Sequence, residues 1–200
     1  MKMKSLPVLI MPLLVILVAS CGQDYVPKPA SYPRIHFPER GSTTLFEPED
    51  CPFQFEIPDY CEPRRKQEFF GEATSDCWGW DVLLPRQLNG AIYLTYKTLS
   101  DEDDLLKLSE DAHKLTYKHM KRADFIEPLE IAREDGTRGL IYFVGGDAAS
   151  QIQFFVTDTV SHFLRGTLNF NSRPNADSLA PVVRFVADDI EGMLKTLDWQ

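Results

Sequence analysis

The second half of the chain holds four consecutive strand-like segments separated by very short turn-forming connections, and that pattern admits few folds. Residues 126–133, 138–144, 152–157 and 162–170 are punctuated by Glu134-Asp135-Gly136, Gly145-Gly146-Asp147 and Asp158-Thr159. Connections this short join antiparallel neighbours, since a parallel pair needs a crossover of about a dozen residues. The segments therefore read as a meander, and a meander with one apolar face needs cover. A final helix supplies it: Leu179, Val182, Val186, Ile190, Met193 or Leu194, and Leu197 recur at helical spacing. Asp177 or Ser178 is its expected cap, with Pro181 tolerated in the first turn.

The first half carries three more strand signals: Phe53, Phe55 and Ile57 alternate with polar partners, residues 91–96 do so in part, and residues 78–84 lie between them. Ser100-Asp101-Glu102-Asp103 then opens a helix, with Ser100 as cap and an acidic first turn suited to the positive helix terminus. Leu105, Leu108, Ala112, Leu115 and His119 fall on one face of it, and Lys118, Lys121 and Arg122 end it. Three strands, a helix, four strands and a helix predict one α+β domain: a mainly antiparallel sheet of about six to seven strands with two main helices. The order resembles that of PsbP-like domains, a likeness of fold that says nothing about activity.

The N-terminus is of another kind. Lys2 and Lys4 precede a 13-residue uncharged, mostly apolar run at 6–18 that contains Pro7 and Pro12. A spanning helix needs about 20 apolar residues, so the run reads as the core of a signal peptide covering 1–20. Leu17-Val18-Ala19-Ser20-Cys21 resembles the bacterial lipoprotein box, which makes Cys21 the expected site of lipidation. Four prolines between Gly22 and Pro38 favour an extended tether over 21–38, and the domain is expected over 39–200. Arg34-Ile35-His36-Phe37 has the alternative of pairing as an edge strand. Gly22, where an acidic residue would retain a lipoprotein at the inner membrane by enterobacterial sorting, points to the outer membrane. The absence of an acidic cluster after it points to the periplasmic side.

Composition sets further bounds. With 44% apolar and 26% charged residues the chain suits one globular domain. Its formal charge of −9 becomes −11 once residues 1–20, with two lysines and no acids, are removed. That balance repels phosphate backbones, so no nucleic-acid partner is expected. Beyond Cys21, an odd set of three cysteines remains in a compartment where disulfides persist. A Cys51–Cys77 bridge is expected, tying the segment before the first strand to the second strand and leaving Cys61 over; three reduced, buried cysteines are the alternative. Spacings of ten and sixteen residues are unlike the close ligand pairs of zinc sites.

The chemistry-bearing residues form no reactive set. His113 and His119 are six apart and share no helical face as a metal pair would. Asp158, His162 and Arg165 have the composition of an acid/base group, but a turn-capping aspartate and a structural ion pair explain them more simply. Ser150 and Ser161 lie in no nucleophile elbow, and Gly145-Gly146 lacks the lysine of a phosphate loop. Asp101 to Asp104 lacks the spaced ligands of a calcium loop, and Arg64-Arg65-Lys66 reads as a solvated basic loop. No catalytic residue, metal or cofactor is expected. His119, His162, Arg165 and Asn171 remain as a candidate interaction surface.

Longer strings carry a resemblance. Pro27-Lys28-Pro29, Tyr32-Pro33-Arg34-Ile35, Cys51-Pro52-Phe53, Cys77-Trp78 and Thr116-Tyr117-Lys118-His119 occur in that order. They are followed by Gly139-Leu140-Ile141-Tyr142, His162-Phe163-Leu164-Arg165-Gly166, Asp177-Ser178-Leu179-Ala180-Pro181 and the closing Trp199. Together with the lipoprotein box they resemble the GldD family of gliding-motility lipoproteins of the Bacteroidetes over nearly all of the mature chain. Cys61 is a departure from that pattern, which favours leaving it out of the disulfide. The resemblance implies a non-enzymatic envelope lipoprotein that serves the gliding apparatus and the type IX secretion system through protein contacts, held to the membrane by its lipid. A lipid- or peptidoglycan-fragment-binding module is the alternative, and it requires an apolar pocket or a groove near His119, Arg165 and Asn171.

Overall fold

The computed structural model describes residues 34–66 and 77–200, together with the backbone of 68–69 and 72–73. The signal peptide, Cys21 and the tether up to Pro33 lie outside the described residues. The packed body runs from Arg34 to Gln200.

Its elements in chain order are β1 (Thr43–Phe46), β2 (Phe53–Pro58), β3 (Glu62–Arg65), β4 (Glu68–Phe69), β5 (Glu72–Ala73), β6 (Gly79–Leu83), β7 (Gly90–Thr98), α1 (Glu102–Tyr117), β8 (Ala123–Ala132), β9 (Arg138–Gly146), β10 (Ile152–Thr157), β11 (His162–Phe170), α2 (Ala176–Thr196) and β12 (Asp198–Trp199). A 3-10 turn, Lys118–Lys121, follows α1 directly. The expected meander is present as β8 to β11. It lies within a seven-stranded antiparallel sheet ordered β3-β6-β7-β11-β10-β9-β8, while β1-β2-β12 form a second, three-stranded sheet and β4-β5 a small hairpin. The fold is thus α+β, as expected, but with two sheets. Arg64 and Arg65, expected in a solvated loop, lie on the edge strand β3, paired with Asp81 and Trp80 of β6.

Side chains on a strand alternate between faces, so the register divides the large sheet cleanly. Ile152, Phe154 and Val156 of β10 lie across from Leu168, Gly166 and Leu164 of β11. Their common face packs on Phe53 and Phe55 of β2 and on Val182, Val186 and Ile190 of α2, forming the main core. The opposite face presents Phe155, Phe163 and Tyr142 to Leu105, Leu108 and Ala112 of α1. A glycine is required at 166 because the Phe154 ring occupies the place a Cβ would take.

Both helices start differently from expectation. Asp101, not Ser100, caps α1, its side chain accepting the Asp104 N–H at 2.9 Å. On the inner face of α1, Thr116 is 1% exposed, whereas Leu115 is 39% exposed. The stripe runs 105, 108, 112, 116, because a straight helix advances slightly less than two turns in seven residues and 115 drifts off the contact line. Asn175 caps α2, accepting the Ser178 N–H at 2.9 Å. Pro181 therefore lies past the first turn, on the exposed side of the helix, and leaves the Asp177 carbonyl without its intrahelical N–H donor. The segment before β1 does not pair as a strand; instead Ile35 packs against the main core and the Phe37 ring stacks on Phe185 of α2 at 4.8 Å.

Candidate functional site

The four residues expected to share a surface are divided by the sheet. Positions 162 and 165 are three apart on β11, so they point to opposite faces. Arg165 faces α1, where its Nη2 donates to Gln153 Oε1 at 2.9 Å and the Thr116 hydroxyl donates to the same oxygen at 3.3 Å. His119, in the turn after α1, is close to it: burial first, then the charge of Arg165, lowers the imidazole below its ordinary pKa. His162 lies on the other face, its Nδ1 2.7 Å from the Tyr96 hydroxyl and its ring stacked 5.3 Å from Trp199. Asn171 is beyond the far end of β11, clasping Asn89 through two hydrogen bonds of 2.8 and 3.1 Å. The structure brings together only His119 and Arg165.

Asp158 serves the turn. Its Oδ1 accepts the backbone N–H groups of Val160, Ser161 and His162 at 2.8–3.0 Å. Burial works to raise this carboxyl, but the three amides outweigh it and its pKa is lowered. Ser150 is buried, its hydroxyl donated to the Ile152 carbonyl. Among the described residues no group of three or more His, Cys, Asp or Glu side chains is arranged to hold a metal ion. Cys51 and Cys77 are joined, with Cα atoms 5.2 Å apart, and Cys61 is a free, buried thiol pushed up to about 12 by burial and by the charges of Asp189 and Asp59.

Two features were not read from the sequence. The first is a polar cluster under the segment that leads into β1. Asp189, on the buried face of α2, accepts the Tyr60 hydroxyl at 2.7 Å, and the Arg40 guanidinium lies 2.8 Å from Asp188 and 4.3 Å above the Phe185 ring. Burial raises Asp189 despite Tyr60 and Arg40. A signal existed: 189 follows 182 and 186 at helical spacing, so an aspartate there falls beside the apolar stripe and must find partners.

The second feature is a groove. Seven strands at ~4.8 Å spacing make a sheet about 29 Å across, and one helix covers about 10 Å of it. The small sheet and α2 cover the middle and the β3 side, so the outer strands β8 and β9 are only partly covered. Two adjoining clefts of about 400 and 590 Å³ run between these strands and α2, sharing Phe143. Leu129, Ile131 and Ile141 contribute from the sheet, and Val183, Ala187 and Leu194 from the helix. Phe125 and Leu129 remain 56% and 47% exposed. Arg133 closes one end, donating to the Leu194 and Leu197 carbonyls that end α2.

Comparison with known proteins places the chain in a family. The family model for the gliding motility lipoprotein GldD matches residues 22–199. The chain belongs to the GldD family. No curated protein matches it. Among solved structures, the solution structure of cyanobacterial PsbP (CyanoP) from Synechocystis sp. PCC 6803 is similar at 11% identity and a TM-score of 0.48, covering 90% of this chain and 98% of that one. Membership in a family of gliding motility lipoproteins carries a lipid-anchored place in the envelope and a role in a motility system. Among the described residues, no helix is long and apolar enough to cross a membrane.

Proposed function

We propose that this GldD-family chain is a non-enzymatic lipoprotein that supports the gliding and type IX secretion machinery through protein–protein contacts. Lipid on Cys21 would hold it to the outer membrane, with the domain facing the periplasm. The observation that carries the reading is the family match over residues 22–199, which spans the packed body except its last residue. The side-chain arrangement supports it, because the three members of the candidate acid/base group are engaged structurally: Asp158 in a turn, His162 between Tyr96 and Trp199, Arg165 on Gln153. The lipid- or peptidoglycan-fragment-binding alternative loses the groove it required near His119, Arg165 and Asn171, since those residues do not converge, but the apolar cleft beside α2 keeps a lipid version testable. The test is affinity capture of the full chain from crosslinked membranes followed by mass spectrometry. Repeated recovery of gliding or secretion components supports the reading; their consistent absence, with intact secretion and motility in a deletion strain, defeats it.

A further inference from the structure

The groove beside α2 has a chemistry of its own. From Asp177 to Lys195 the helix wall runs about 27 Å at 1.5 Å per residue, long enough for several turns of a second helix. Its floor is apolar, with Leu129, Ile141 and Phe143 on the sheet side. Its end near the start of α2 is rich in carboxylates. Asp124 and Asp177 line it, and Gln151 lies beneath them, 6% exposed, with its Nε2 donated to the Ala148 carbonyl at 2.9 Å and its Oε1 without a partner among the described residues. Asp147 adds a third carboxylate next to this end, already accepting the Ala176 N–H. The cations nearby are Arg122 and Arg184, the latter turning its Nε to the Ala180 carbonyl. Further along, Lys195 is held by Glu191 and Arg133 by Asp135, so neither offsets the acidic rim.

The free edge of β8 narrows the mode of docking. The Val144 N–H points to Gln151, on the β10 side, so the odd residues of β9 bond to β8 and the even residues of β8 face outward. Pro128 is one of these and has no N–H to offer, and Glu130 beside it adds charge. Both are devices that block strand addition at a sheet edge.

From the apolar floor, the carboxylate-rich end and the blocked edge, we infer that the groove between α2 and strands β8–β9 docks an amphipathic helix of a partner protein. The helix lays its apolar face on Leu129, Ile141 and Phe143 and sets a Lys or Arg against Asp124, Asp177 and Gln151 Oε1. The acidic rim disfavours a fatty acid or an anionic lipid headgroup as occupant. The inference rests on the protein-contact reading above and specifies its surface.

The test uses the full chain in phosphatidylcholine nanodiscs, with empty discs as control. Two fluorescent 16-residue amphipathic peptides serve as probes, identical except for a Lys-Lys or a Glu-Glu pair at one end. The Lys peptide is expected to bind about tenfold more tightly, and Asp124→Asn with Asp177→Asn to remove most of that preference. Leu129→Glu adds negative charge on an exposed position, so it should strengthen mere electrostatic adhesion; seating in the groove predicts roughly fivefold weaker binding instead. Equal binding of both peptides, tighter binding to the Leu129→Glu chain, displacement by a fluorescent fatty acid, or self-crosslinking through a photoreactive residue at 129 would each overturn the inference. In cells, a photoreactive residue at 129 should capture a machinery component through a basic amphipathic segment. Capture from α1 position 106 alone overturns the groove and leaves the protein-contact reading standing, whereas no capture from either face counts against both.

Discussion

The Cys51–Cys77 bridge offers the sharpest quantitative test of the architecture. It joins the segment entering β2, in the small sheet, to the segment entering β6, in the large one, across a sequence separation of 26. In the chain-entropy description a loop of that length costs the unfolded state about 12 cal/mol/K, or about 3.5 kcal/mol at 25 °C. The perturbation is Cys51→Ala with Cys77→Ala, assayed by urea titration of tryptophan fluorescence. With a slope of about 2 kcal/mol/M the midpoint should fall by about 1.7 M. Losing two sulfur atoms also removes packing, because Cys51 is buried against Phe53 and its neighbours. Reduced wild-type protein separates the effects, since it keeps the sulfurs and loses only the crosslink, and it should recover most of the shift. Oxidised and reduced wild type agreeing within about 0.3 M would refute the entropic argument, and a peptide map joining Cys61 to either partner would refute the pairing.

Three further outcomes follow from particular contacts. The lowered carboxyl of Asp158 contributes stability that is present above the unfolded pKa of about 3.9 and is lost as pH falls through the folded value; Asp158→Asn should remove that component of acid unfolding, and an unchanged acid limb would contradict the role of the three amides. The Cys61 thiol, buried and raised, should resist iodoacetamide at pH 8 in the native state and react at once in urea, as a mass shift of the intact chain would show. Gly166→Ala drives a Cβ into the Phe154 ring and should destabilise by about 1–3 kcal/mol in a thermal melt, with no change counting against the close packing of β10 on β11.

The elements that were legible share one property: their signal is local. The turn-forming breaks that bound 152–157 and 162–170 and the stripe at 182, 186, 190 and 193 are read from neighbouring residues, and the strands and helix lie where those signals place them. Strands β1 and β3 were missed because their residues are almost all exposed, and β12 because two residues hold no period. The grouping of His162 with Arg165 failed on a point that was readable, since three residues along a strand reverse the face. The clasp of Asn171 on Asn89 was not readable, because it depends on β7 lying next to β11.

By itself the sequence determined the α+β class, the meander, the covering helices and the family, since these rest on periodicity, spacing or ordered short strings; for the cysteines it left a reduced alternative open, which the 5.2 Å Cα separation of Cys51 and Cys77 decides. Tertiary structure alone decided which side chains meet. Strand β7 enters the sheet beside β11, some seventy residues further along the chain, and that insertion seats His162 between Tyr96 and Trp199 while Arg165 turns to α1. The groove has the same origin: a helix about 10 Å wide on a sheet about 29 Å wide must leave strands partly uncovered, and only strand order says that they are β8 and β9.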